Sequence, residues 1–278
     1  MAARTNPSPN PIPSVWTRQQ REPDQPALSR TAIVREAIAM LDAEGTEALS
    51  MRKLGSRLNA GATSLYRHVA TKDELMELAV DEVFAEITVP PADSAPEDGR
   101  DGSPTPRATH PATANPDAVA PGTLAAPAWG DWRAATIEAA RSFRATALRH
   151  PWLASVLGQA GLAYLGPNLM SYSEQLATLF TSAGFPEPGR AIDTLLAYVI
   201  GMSTTEAAWL TTVARSGETE AAFVAHLMPA AQQAAAPHSH LADAYSAPAP
   251  PDPAGIRDDK FNYGLQAVLD GLALRLPS

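Results

Sequence analysis

A chain of 278 residues, 45% of them hydrophobic, is long enough for one or two domains with a sizeable core, and its formal net charge of -9 makes it acidic overall. It has no cysteine, which excludes a disulfide framework, a thiolate metal site and a cysteine nucleophile, and fits a reducing cytoplasm. No stretch approaches the ~18 consecutive apolar residues of a membrane span, and the Pro-rich N-terminus lacks the apolar segment of a secretory signal.

Residues 1–28, 88–128 and 237–257 hold most of the 26 prolines and show no helical periodicity. They read as a disordered tail, a Pro/Ala-rich disordered linker and a flexible loop. Arg4, Arg18 and Arg21 in the tail suit a DNA backbone or minor groove. Glu22 and Asp24 dilute that charge, and a plain flexible terminus is the simpler reading.

Ser29 is placed to cap a helix over 29–44, with Ile33, Ala37, Ile38 and Leu41 on one stripe and Gly45 as its stop. Ser50 caps a second, shorter helix carrying Met51, Leu54 and Leu58 at helical spacing. Asn59-Ala60-Gly61 breaks it, because Asn and Gly tolerate the left-handed backbone of a tight turn. A third helix is expected over 62–68, with Leu65 and Val69 inward and Thr63, Ser64, Tyr66, Arg67 and His68 outward. Thr71 to Glu74 has the form of a capping box and opens a fourth helix to about residue 87, with Leu75, Leu78, Ala79 and Val83 inward.

Between Ser50 and Lys72 lie Arg52, Lys53, Arg57, Arg67, Lys72 and His68, and no Asp or Glu. A basic island in an acidic chain suits a phosphate backbone, where cations gain by releasing counterions. Two short helices at a sharp turn form a helix-turn-helix pattern, whose second helix lies in the major groove. From pattern alone, an ordinary helical hairpin with a solvated polar face fits equally well.

Residues 129–235 are Ala-rich and helical in pattern. Helices are expected over 131–149, 151–157, 167–184 and 189–215. A further one over 218–234 would be interrupted by Pro229, and a last one runs over 260–276. Two strongly apolar helices, 189–215 and 260–276, invite a four-helix dimer contact; burial of both faces within one subunit is the alternative. There is no G-x-S-x-G elbow, no H-E-x-x-H zinc helix and no phosphate loop, so nothing points to an enzyme. His238 and His240 could ligate a metal, but a solvated loop is the simpler reading because no third ligand is near in sequence. Glu206 lies in an apolar helix and faces solvent or a ligand.

The run of EG, SMRKL, LYRHV and KDELM in residues 29–87 resembles the N-terminal domain of the tetracycline-repressor (TetR) family of bacterial regulators. RHPWLASVL, GPNLMSYSEQL, AYVIGMSTTEAAW and FNYGLQAVLDGL, within 129–276, more loosely resemble that family's C-terminal domain. The resemblance implies an all-α fold: a three-helix helix-turn-helix DNA-binding domain over 29–87 and a helical effector-binding and dimerisation domain over 129–278. It implies a homodimeric, cytoplasmic repressor that binds double-stranded operator DNA and a small-molecule effector, without a cofactor or metal. An activator or ligand-blind regulator with the same head is the alternative, a helical enzyme a remote one. By the same resemblance, Arg52 and Lys72 would hold phosphates, and Thr63, Ser64, Tyr66, Arg67 and His68 would touch bases or backbone. In tetracycline-binding relatives a His and a Glu hold the drug's magnesium; Leu157 and Thr205 stand there and cannot, which disfavours that ligand. Phe143 and Gln175 match pocket positions, so Phe143, Gln175 and Thr205 are the candidate effector contacts. The 88–128 insert departs from the family's short connection.

Overall fold

The computed structural model describes residues 28–90, 132–157, 165–246 and 252–277. The expectations for the tail before Leu28 and for most of the insert, 91–131, fall outside these residues. Among the described residues every regular element is a helix.

The first four helices form the head. α1 (Arg30–Glu44) starts where the Ser29 hydroxyl accepts the Ala32 N–H at 3.1 Å. A 3-10 turn (Thr46–Ala48) follows, and Ser50 then caps α2 (Met51–Arg57) by accepting the Lys53 N–H at 3.2 Å. Asn59 takes the left-handed backbone, φ 49, that the turn into α3 (Ala62–Leu65) requires. α3 is shorter than expected: residues 66–68 continue as turn after Tyr66, and Leu65 and Val69 still point into the core. Gly55 makes the close helix–helix approach feasible, since a Cβ there would lie 2.7 Å from the Ala60 carbonyl.

α4 (Lys72–Phe84) is capped by Thr71, whose hydroxyl accepts the Glu74 N–H at 3.0 Å. Glu74 reaches back one residue further than a standard capping box, to the Ala70 N–H, and also accepts from Arg30. This helix is buried over most of its circumference, as expected of one sandwiched between two bodies. One side meets α1. On the other, Phe84 packs edge-on against Tyr172 (5.5 Å) and Phe143 (6.3 Å) of the second domain.

The second domain comprises α5 (Trp132–Arg149), α6 (Trp152–Leu157), α7 (Pro167–Ser182), α8 (Pro188–Ser216), α9 (Glu220–Ala235), α10 (Ser239–Tyr245) and α11 (Pro253–Ala273). α8 is its axis, touching α5, α6, α7, α9 and α11. Two expectations are corrected. Pro229 does not interrupt α9, which runs through it with its neighbours exposed; a missing N–H costs least where water can reach the freed carbonyl. The loop expected over 237–257 contains α10, and α11 begins inside it, where Pro253 follows Asp252, whose carboxylate accepts the Gly255 N–H at 3.0 Å.

Candidate nucleic-acid interface

The basic island divides into two sets of cations. Lys53 and Arg57, on the α2 side facing α1, are engaged by acids of that helix: Lys53 pairs with Glu44, and Arg57 reaches Glu36 at 2.5 Å and Glu44 at 3.6 Å. Arg52 and Arg67 are exposed and make no ion pair among the described residues. Lys72, at the first position of α4, is exposed and donates to the Thr46 carbonyl at 3.2 Å. An amine resting on a neutral carbonyl keeps its full charge, so three cations keep theirs available outside the protein.

The polar side chains of the turn flank these cations. Thr63 is exposed and Ser64 half-buried; Tyr66 is 51% exposed, unusual for so large a ring. The two residues that fix this surface are Leu65 and Val69, both fully buried beneath it. His68 is half-buried, and its Nδ1 is shut away from solvent without a hydrogen-bond partner. Arg52, Thr63, Ser64, Tyr66, Arg67, His68 and Lys72 thus lie on the helix-turn-helix unit and the adjoining start of α4, with Arg52, Thr63, Tyr66, Arg67 and Lys72 exposed.

The effector candidates are not brought together. Phe143 is 1% exposed, wedged against Phe84 and Tyr172. Gln175 is exposed on α7 and donates to the Ser171 hydroxyl one turn away. Thr205 is exposed on α8, its hydroxyl donating to the Gly201 carbonyl. Only Phe143 therefore faces the interior of its own subunit, because the other two fall on outward stripes of their helices. Leu157 closes α6, half-buried. His238 and His240 sit exposed at the start of α10, and among the described residues no group of three or more potential ligands gathers there or elsewhere.

Glu206 is turned away from solvent and is held by cations. It is 8% exposed and accepts from Arg144 at 2.7 Å through both oxygens and from Arg257 at 2.9 Å. Arg257 also pairs with Glu220, which accepts from the Trp209 indole. Burial pushes the Glu206 carboxyl up, but the hydrogen bonds and charges of the two guanidiniums outweigh it and hold the group below its ordinary value. This network, invisible at sequence level because the ion pairs of Glu206 and Arg257 span 37 to 62 positions, ties α5, α8, α9 and α11 together.

Two polar junctions join head and second domain, and sequence reasoning missed both. Asp42 of α1 accepts from the Trp152 indole at 2.7 Å and contacts His150 Nδ1 at 2.7 Å, while His150 Nε2 lies 3.2 Å from Glu86. Asp81 of α4 accepts from the backbone N–H groups of Asn168 and Leu169 and so caps the start of α7. These contacts tie the starts of α6 and α7 to α1 and α4, the two head helices that meet the second domain.

Comparison with known proteins agrees with this architecture. Residues 33–79 match the family model "Bacterial regulatory proteins, tetR family", and residues 124–276 match "Tetracyclin repressor-like, C-terminal domain". The chain is 34% identical over 203 residues to an HTH-type transcriptional regulator of Saccharopolyspora erythraea, covering 70% of this chain and 69% of the relative. It is 31% identical over 257 residues to the HTH-type transcriptional repressor DrrR1 of Streptomyces coeruleorubidus, covering 92% and 80%. Among solved structures, ActR of Streptomyces coelicolor in complex with actinorhodin superimposes with a TM-score of 0.59 at 28% identity, over 89% of this chain and 97% of that one. Head, exposed cations and helical second domain together with these matches establish that the chain belongs to the tetracycline-repressor family of helix-turn-helix, DNA-binding transcriptional regulators.

Proposed function

We propose that this chain is a homodimeric repressor that leaves its operator when a small molecule binds the second domain. The observation that carries the DNA reading is the sorting of cations. Arg52, Arg67 and Lys72 face outward uncompensated, whereas Lys53 and Arg57 are neutralised by α1. Arg52 and Lys72 would hold phosphates, which position the head; Thr63, Ser64, Tyr66, Arg67 and His68 would touch base edges or backbone. Repression is supported by DrrR1, 31% identical and named a repressor. Response to a small molecule is supported by ActR, seen with actinorhodin and with (S)-DNPA. By linkage, an effector that favours one spacing of the heads must lose affinity when operator holds the other.

The dimer reading has its own support. Thr194, Ala197, Gly201, Thr205, Ala208 and Thr212 form an exposed stripe along α8, repeating every 11 residues. Such small residues let two helices approach closely. A Cβ on Gly201 would meet nothing within 4 Å, so at this point the face has no close neighbour among the described residues. Tyr263 (81% exposed), Ala267, Gly271 and Leu274 form a second outward stripe on α11. Thr205 is then a partner-facing residue. A chromosomal DNA target supports a cytoplasmic location. The test is capture of fragments of the source genome by the purified chain, followed by gel shift with the retained duplexes. Retention of a discrete set, including the promoter region beside its own gene, is expected; uniform retention of all fragments would refute the reading.

A further inference from the structure

Between head and second domain lies a cleft of about 620 Å3, apart from the Phe143 core. The end of α1 and the following 3-10 turn form one wall, Leu148 to Ser155 another, and the last two turns of α8 the third. Its floor is apolar: Leu41 and Trp152 are buried there, with Leu148 and Leu210 half-buried above them. The volume is that of a drug-sized molecule, and an apolar floor lies beneath a rim of polar and charged side chains.

The charges on the rim decide what fits. Asp42 already holds the Trp152 indole and His150, and Glu44 is paired with Lys53 and Arg57. Arg215, on the α8 wall, is exposed and has no ion-pair partner among the described residues. Arg215 is therefore the one charged group lining the cleft that has no partner among the described residues. Thr211 and Thr46 add hydrogen-bonding groups, and the Thr46 carbonyl is the one that receives Lys72. An occupant would touch the same short backbone segment that positions a DNA-facing cation.

We infer that this cleft is a second small-molecule site, for an organic anion with an apolar body seated on Leu148 and Leu210 and its charge on Arg215. Only the consequence for operator binding rests on the proposed function; the site itself does not.

The test uses the full chain without DNA and the fluorescent probe anilinonaphthalene sulfonate, with neutral phenylnaphthylamine as its uncharged counterpart. Ala214→Trp fills the cleft from an exposed position, and Arg215→Glu reverses its free charge, so neither should disturb folding; helical circular dichroism checks this. Wild type is expected to bind one more sulfonate probe per subunit than Ala214→Trp. Arg215→Glu should weaken that site about tenfold for the anion and little for the neutral probe. Equal sulfonate binding by wild type and both variants would overturn the site. Equal weakening of both probes by Arg215→Glu would overturn its anion preference. Neither result bears on whether the head binds DNA.

Discussion

Asp81 of α4 accepts hydrogen bonds from the backbone N–H groups of Asn168 and Leu169, at 2.9 and 3.0 Å, across the boundary between head and second domain. Its carboxylate occupies the space a side chain at Gly166 would need. Burial is the largest influence and raises the Asp81 carboxyl above its ordinary 3.8, with the two amides pulling partly back. A carboxyl whose folded value is raised favours the fold most when protonated, and that contribution fades as pH rises through the raised value. Asp81→Asn keeps an acceptor for both amides but cannot ionise. Thermal melts of the two proteins should therefore show the variant gaining on wild type as pH rises above about 4.

Glu206 runs the other way. Its lowered carboxyl contributes stability above the ordinary glutamate value, and that stability is lost as pH falls through the lowered folded value. Glu206→Ala leaves Arg144 and Arg257 partly buried, with only Asp258 and Glu220 as partners. It should cost about 3 kcal/mol in urea unfolding at neutral pH, the low end for breaking a buried pair. The deficit should shrink towards acid.

Gly55→Val tests the packing of the reading unit. The added Cβ would press on the Ala60 carbonyl, which the backbone cannot easily withdraw because the Ala60 N–H is itself bonded to the Gly55 carbonyl at 2.8 Å. The head should lose about 1–3 kcal/mol, and operator binding should fall while light scattering still reports an unchanged dimer.

These predictions also mark what was legible in the chain. Ser29, Ser50 and Thr71 cap helices as their spacing indicated, and Asn59 takes the left-handed turn, because such signals are local. α3 came out short because its outward residues gain nothing by staying helical once Leu65 and Val69 are buried. The pairing of Lys53 and Arg57 with α1 was not readable: charge density in sequence does not say which cations another helix will engage. The Asp42–His150–Trp152 junction spans 108 to 110 positions and follows only from the packed fold. Gln175 and Thr205 rested on correspondence with relatives, and both stand exposed on their helices. Asp252-Pro253, a cap followed by a first-turn proline, was a readable helix start lost among its proline neighbours.

Gly201→Arg addresses the dimer. Among the described residues nothing lies within 4 Å of a Cβ there, so circular dichroism should be unchanged. Light scattering should report a monomer, and operator affinity should fall about a hundredfold or more as two linked heads become one.

The most direct measurement is the salt dependence of operator affinity, by fluorescence anisotropy, for wild type and for Arg52→Ala, Arg67→Ala and Lys53→Ala. A dimer carries each cation twice, so Arg52→Ala and Arg67→Ala should each flatten the log–log slope by about two, while Lys53→Ala leaves it unchanged. A wild-type chain that ignores its captured duplexes at low salt, or a Lys53→Ala slope as flat as that of Arg67→Ala, would contradict the account.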